Sequence, residues 1–145
     1  MIATRSKSSK PLDKSLIACT ILGEPASKAN SRRLVSMRGK PRFIKSKKAL
    51  AYSEAFLLQC PVKKDLFSED VFVAIKIYYA SRRPDLDPSL ILDLLQDRFY
   101  TNDRLVKGQY LEWGLSKNNP RSLIVVTKLE DKDLAIKELS NLDSI

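Results

Sequence analysis

The chain contains no histidine, so it lacks the commonest general base at neutral pH and one of the two usual zinc ligands. Its two cysteines, Cys19 and Cys60, have no paired spacing, so we expect two buried thiols instead of a disulfide or a metal site. No apolar run approaches the roughly 18 residues of a membrane-spanning helix, and the N-terminus has no apolar core of a signal peptide. We therefore expect a protein that works in a reducing cytoplasm without a membrane partner.

Acidic residues are nearly missing from the first third of the chain. Thirteen of the 26 Lys and Arg residues fall in the first 50 positions, against Asp13 and Glu24 only, and the net charge of the whole chain is +9. A charge of this size and distribution predicts an anionic partner. Nucleic acid is favoured over a membrane surface, because no basic amphipathic helix with a broad apolar face is evident.

The length of 145 residues and the apolar content of 43% predict one globular domain, and its mixture of predicted strands and helices indicates the α+β class. We expect a basic flexible tail at residues 1–14, the domain at 15–130, and a helix or tail at 131–145. The sheet should be mixed or antiparallel, with two main helices. Strands are predicted at 15–22 and 71–79, a hairpin around Gly39, helices at 46–59 and 88–98, and a terminal antiparallel pair at 105–115 and 122–129.

Two carboxylates follow the clearest predicted strand, Val71 to Tyr79. Residues two apart in an extended segment point the same way, so Asp85 and Asp87 can face one cavity. Asp103 comes one helix later and could be brought back if the next strand paired beside residues 71–79. Three convergent carboxylates repel one another unless cations lie between them, and Mg²⁺ prefers oxygen ligands. The pattern therefore indicates a metal site, against the ordinary alternative of a helix cap, a loop residue and a turn.

Two short motifs resemble those of one known family. The run Arg-Arg-Pro-Asp-Leu-Asp at 82–87, followed by a helix and by Asn-Asp-Arg-Leu-Val at 102–106, resembles the RusA family of Holliday junction resolvases. The stretch at 23–33 is similar to that family's Pro/Ser/Asn/Arg-rich loop. The resemblance covers about residues 15–129 and implies a phage or prophage homodimer in the bacterial host cytoplasm, which makes paired cuts at four-way DNA junctions. Asp85, Asp87 and Asp103 would then be catalytic and bind Mg²⁺, with Mn²⁺ as a substitute.

The chain departs from the family pattern at two positions. Ile91 stands where the family has a catalytic lysine, and Asn102 replaces the first acid of its Asp-Asp turn. On a helix that starts near residue 88, Ile91 should be packed, and Lys28, Lys76 or Lys107 could supply the missing cation. The departures leave three alternatives open: a metal-dependent nuclease of other branched DNA, a DNA-junction-binding protein that does not cut, and a basic RNA-binding protein.

The basic residues near the predicted site form a group that could follow a nucleic-acid backbone. Any one of them could be an ordinary solvated charge, but the imbalance of thirteen basic to two acidic residues favours a shared role. The residues expected to bind DNA are Lys28, Arg32, Arg33, Arg38, Lys40, Arg42, Arg82 and Arg83.

Overall fold

A computed structural model describes residues 16–27 and 32–145 of the chain. The predicted flexible tail at residues 1–14 and the predicted DNA contact Lys28 lie outside these residues. Two single-turn 3₁₀ helices, at Asp103–Leu105 and Leu129–Asp131, accompany the main elements. In chain order the main elements are β1 Leu16–Leu22, β2 Arg32–Met37, β3 Lys40–Lys45, α1 Lys47–Gln59, β4 Val71–Tyr79, α2 Ser89–Leu95, β5 Val106–Leu115, β6 Arg121–Lys128 and α3 Lys132–Asp143.

The main sheet has four strands in the order β1-β6-β4-β5. Strand β6 runs antiparallel to both β1 and β4, whereas β5 runs parallel to β4. The predicted α+β class with a mixed sheet is confirmed, but the predicted pairing of the last two strands with each other is wrong. Strand β4 lies between them because Lys76 is its single charged residue and both of its faces are largely buried, and such a strand belongs in the middle of a sheet.

The alternation along β4 divides the core into two parts. Its odd-numbered side chains, from Val71 to Tyr79, share one face, as their alternation predicts, and pack under α1 and α2, and the even-numbered Phe72 and Ala74 pack under α3. Helix α2 buries Ile91 completely, which confirms the expectation that this side chain is packed. It ends at Leu95, three residues earlier than predicted, because the backbone is extended at Gln96, with ψ 134°, and Asp97 then takes a positive φ of 67°.

Helix α1 begins as predicted, with Ser46 as its cap: the Ser46 Oγ accepts the Ala49 N–H at 3.2 Å. The sequence pattern offers Leu50, Phe56 and Leu57 for the inward face of this helix, and the structure bears this out only in part. Phe56 is buried, but Leu50 and Leu57 are 47% and 41% exposed. Ala49, Tyr52 and Ser53 point inward instead, because these positions share one side of the helix with Phe56.

The structure contains the predicted hairpin, and it shows whether the C-terminal segment is a helix or a tail. Strands β2 and β3 pair antiparallel around Arg38 and Gly39, whose positive φ angles of 54° and 75° suit a tight hairpin turn. The segment predicted as a helix or a tail is helix α3, and its Ala135 and Leu139 are buried against the sheet. It therefore belongs to the folded domain. Within the described part of the chain, no helix is long and apolar enough to cross a membrane.

Candidate functional site

The predicted acidic site lies at one edge of the sheet, where two strands end together. Strands β1 and β4 are both antiparallel to β6, and their last residues meet at the same place, since Leu22 and Tyr78 both pair with Arg121. Glu24 follows β1, and Asp85 and Asp87 follow β4. Because strands that run the same way deliver their following loops to one edge, these three carboxylates come to the same region.

The loop that carries Asp85 and Asp87 is fixed at three points. The Glu24 Oε1 accepts the N–H of Ala80 at 2.9 Å, just after β4. The Trp113 Nε1–H donates to the Pro84 carbonyl at 3.0 Å, and the N–H of Asp87 donates to the Tyr79 hydroxyl at 3.2 Å. The Trp113 and Tyr79 rings stack with centroids 5.8 Å apart. The two carboxylates are therefore presented on a braced segment.

The pKa of the Tyr79 hydroxyl is affected by all three of these carboxylates. Burial raises the pKa of the Tyr79 hydroxyl, and the negative charges of Asp87, Glu24 and Asp85 raise it further. The N–H of Asp87 opposes this shift by donating a hydrogen bond to the hydroxyl. The Tyr79 hydroxyl thus lies in the field of all three carboxylates.

The carboxylates of the pair are held differently. Asp85 is exposed. Asp87 is half-buried, and its Oδ1 accepts the Ser89 N–H at 3.0 Å and the Ser89 hydroxyl at 2.6 Å. Asp87 therefore holds an Asx turn at the start of α2, one residue before the N-cap Pro88.

The structure does not bring Asp103 to this pair. The next strand does pair beside β4, as predicted, but the pairing is parallel and sets Val106 opposite Val71, at the start of β4. The N–H of Asp103 donates to Gln96 Oε1 at 3.0 Å, beside the end of α2. Asp87 lies at the other end of this helix, which is about 10 Å long. Among residues 16–27 and 32–145, no three His, Cys, Asp or Glu side chains form a group that could hold a metal.

The donor set nevertheless fits one kind of ion. Mg²⁺ keeps several waters and is bound in many enzymes through one or two carboxylates together with substrate phosphates. Asp85 and Asp87 offer two carboxylates and no soft ligand, so a hard cation that arrives with a phosphate matches them. A closed protein cage of the kind that Ca²⁺ prefers would need more oxygen ligands than this edge provides.

Sequence reasoning missed Glu24 and Lys48. The Lys48 Nζ lies 3.5 Å from the Glu24 Oε2. A cation of α1 therefore lies beside the acidic edge, the edge of the sheet that carries Glu24, Asp85 and Asp87. The run Gly-Glu-Pro at 23–25 correctly predicted the end of the first strand. Finding Glu24 would also have required knowing that β1 and β4 run in the same direction, and no local pattern states this.

Of the described residues predicted to contact DNA, two directly precede the acidic pair in the chain and the others belong to the hairpin. Arg82 and Arg83 are exposed and lie between the end of β4 and Asp85. Arg38 and Lys40 are exposed at the hairpin tip, and β3 leads through Ser46 directly into α1, whose first turn carries Lys48. Arg32, Arg33 and Arg42 lie on the paired strands β2 and β3.

Lys76 does not supply the missing cation. It lies on the opposite face of β4, where its Nζ is 2.8 Å from the Asp143 Oδ2 and 3.2 Å from the Glu112 Oε2. Burial would lower the pKa of Lys76, but hydrogen bonds to Asp143, Tyr78 and Glu112 outweigh it and raise that pKa. Lys76 therefore ties α3 to the sheet. Of the other two candidates, Lys107 is exposed at the start of β5 and Lys28 is outside the described residues.

Lys76→Ala is expected to lower the free energy of unfolding by about 2 kcal/mol, because it removes charged hydrogen bonds and leaves Asp143 with the Tyr78 hydrogen bond but without its ion pair. Urea denaturation measures this change, and Lys137→Ala, at an exposed position on α3, is the matched control with little expected effect. The hydrogen bonds from Lys76 and Tyr78 outweigh burial and hold the pKa of Asp143 below its ordinary value. The stabilisation should therefore be complete above about pH 4 and disappear as the pH falls further. Equal stability of the two variants at pH 7 would contradict this role.

Comparison of the chain with protein-family models and with curated proteins finds no match. The resemblance to the RusA family therefore rests on the short motifs at 23–33, 82–87 and 102–106.

Proposed function

We propose that the protein is a Mg²⁺-dependent endodeoxyribonuclease that resolves four-way DNA junctions by paired phosphodiester cuts. The observation that carries this proposal is the braced segment after β4, in which the exposed Arg82 and Arg83 directly precede the carboxylate pair Asp85 and Asp87. Phosphate-binding cations beside hard oxygen ligands are the groups that phosphodiester hydrolysis requires.

Each part of the edge has a task in this proposal. Bound Mg²⁺ would polarise the scissile phosphate and activate a water. Asp85 and Asp87 would hold the ion, and the hydrogen bonds of Ala80, Pro84 and Asp87 keep their segment in place. Arg82 and Arg83 would contact phosphates next to the cut. Asp103, the third predicted ligand, lies beside the end of α2.

Paired cuts need two equivalent sites related by a twofold axis, so the proposal includes a homodimer. The basic hairpin would provide contacts to the junction arms that do not depend on base sequence. The proposed setting is the bacterial host cytoplasm, where branched DNA arises during recombination and repair.

A second candidate is a protein that binds DNA junctions without cutting them. It is favoured by the complete burial of Ile91 at the position of the family lysine. It is favoured also by the lack, among the residues described, of a group of three carboxylates that could hold a metal. In this case Asp87 would serve only to hold the turn at the start of α2, and Asp85 would be an ordinary solvated residue of the loop.

Incubation of the purified protein with labelled four-way junction, Y-fork and linear duplex, in Mg²⁺ or in EDTA, separates these functions. We expect symmetric nicks in the junction with Mg²⁺, none with EDTA, and little cutting of the duplex. Equal cutting of the fork would indicate a nuclease of other branched DNA. Tight junction binding without cutting, in Mg²⁺ and in Mn²⁺, would establish the second candidate instead.

A further inference from the structure

The two cysteines are 41 residues apart in sequence, yet both belong to the core under α1. Cys19 lies on β1 between Ile17 and Ile21, on the face that packs against this core. Cys60 directly follows the last turn of α1, where its N–H donates to the Phe56 carbonyl at 2.8 Å. Both are free thiols. A strand and the end of the helix that covers it thus each present one sulfur.

The local packing holds these two sulfurs together. Cys19 and Cys60 lie close enough for each thiol to shift the pKa of the other, and the Cys60 Sγ donates to the Pro61 carbonyl at 3.4 Å. The Leu22 N–H, three residues after Cys19, donates to the Oε1 of Gln59, the residue before Cys60, at 2.7 Å, and the Gln59 Nε2 donates back to the Leu22 carbonyl at 3.1 Å. This pair of bonds fixes the end of β1 against the last turn of α1. The two elements that carry the thiols are therefore tied together close to both cysteines.

The two thiols differ in the way that an exchange reaction requires. The neighbouring Cys19 thiol lowers the pKa of Cys60, and the positive charge of Arg98 lowers it further, against the effect of burial. The Cys60 thiol raises the pKa of Cys19, and burial adds to this shift. Because the thiolate is the attacking species, Cys60 is the nucleophile and Cys19 the resolving thiol.

We propose that Cys19 and Cys60 form a reversible intramolecular disulfide. The oxidant is a low-molecular-weight disulfide such as oxidised glutathione. The Cys60 thiolate attacks one of its sulfurs, forms a mixed disulfide and releases one thiol. Cys19 then loses its proton and attacks the Cys60 sulfur, which releases the second thiol. Two protein thiols are oxidised, one disulfide is reduced to two thiols, and excess thiol reverses the exchange.

The bond would join β1 to the end of α1 and close a loop that contains Glu24, the hairpin and Lys48. These residues include the contact between Lys48 and Glu24 and most of the predicted DNA-binding side chains. Oxidation would therefore restrict the basic hairpin relative to the acidic edge. This consequence concerns the fold and holds whether or not the protein cuts DNA.

The full-length protein is equilibrated with mixtures of oxidised and reduced glutathione, and the oxidation of its cysteines is followed by intact mass and peptide mapping. We expect a monomer that loses two hydrogen atoms, with one peptide pair linking Cys19 to Cys60. The melting temperature should rise by about 5 to 10 °C on oxidation and return with dithiothreitol. Cys19→Ala and Cys60→Ala should each show neither the mass loss nor the rise.

A second measurement separates slow access from wrong geometry, because both sulfurs lie in the core. The wild-type protein is oxidised in dilute urea, where local opening is frequent, and then returned to buffer. Recovery of the Cys19–Cys60 link in the folded monomer supports the proposal even where oxidation in buffer is slow. Glutathione adducts alone, links between chains, or a folded protein that stays fully reduced would overturn it.

Discussion

Asp85→Asn and Asp87→Asn should each reduce Mg²⁺-dependent cutting of a four-way junction by roughly 10²- to 10³-fold, the usual size of a lost electrostatic group in an active site. Binding of the junction should be unchanged or tighter, because each change removes a negative charge that faces the phosphates. Single-turnover cutting and gel-shift titration in Ca²⁺ measure the two properties separately. The Asn side chain can accept the same hydrogen bonds from Ser89, so Asp87→Asn keeps the turn before α2 and isolates the charge.

The matched control is Asp97→Asn, which removes the same charge at an exposed position where Asn tolerates the positive φ of 67°. It should cut at the wild-type rate. Cutting by either Asp85→Asn or Asp87→Asn at the wild-type rate would remove the proposed site. Asp103→Asn tests the third predicted ligand: a loss as large as at Asp85 would mean that Asp103 joins the pair when DNA and ion bind. A small loss would show that two carboxylates suffice.

Local patterns predicted the elements around this site well. The alternation of Val71 to Tyr79 gave strand β4 and its buried face, Ser46 gave the start of α1, and Gly39 gave the hairpin turn. The loop position of Asp85 and the position of Asp87 at the start of α2 follow from the same kind of signal. Each depends on neighbours within a few residues, which the sequence displays directly.

Strand partners could not be read in the same way. Nothing local to β5 or β6 states that β4 separates them, because that order depends on which strand can be buried on both faces. The same missing information left Glu24 out of the site and made the return of Asp103 an assumption. Lys76 shows the effect at a single residue. Because it lies on the even-numbered face of β4, it pairs with Asp143 on α3 and not with Asp85 or Asp87.

The double substitution Arg32→Ala/Arg33→Ala should weaken junction binding and flatten its salt dependence. If both side chains contact phosphates, the slope of log K against log salt falls by about 1.8, at roughly 0.9 per contact. With an unchanged affinity extrapolated to 1 M salt, this corresponds to a loss of about 60-fold at 0.1 M. Titrations at several salt concentrations, on junctions of different sequence, measure both effects.

The loss of affinity should be the same for junctions of every base sequence, because phosphates carry no base identity. Lys132→Ala/Lys137→Ala is the matched control: it also removes two positive charges, but from exposed positions on α3, which covers the sheet face opposite α1 and α2. Its slope should stay close to that of the wild type. An unchanged slope for the arginine variant would mean that these arginines do not touch the DNA backbone. Equal changes in both variants would mean that net charge, and not the hairpin, sets the affinity.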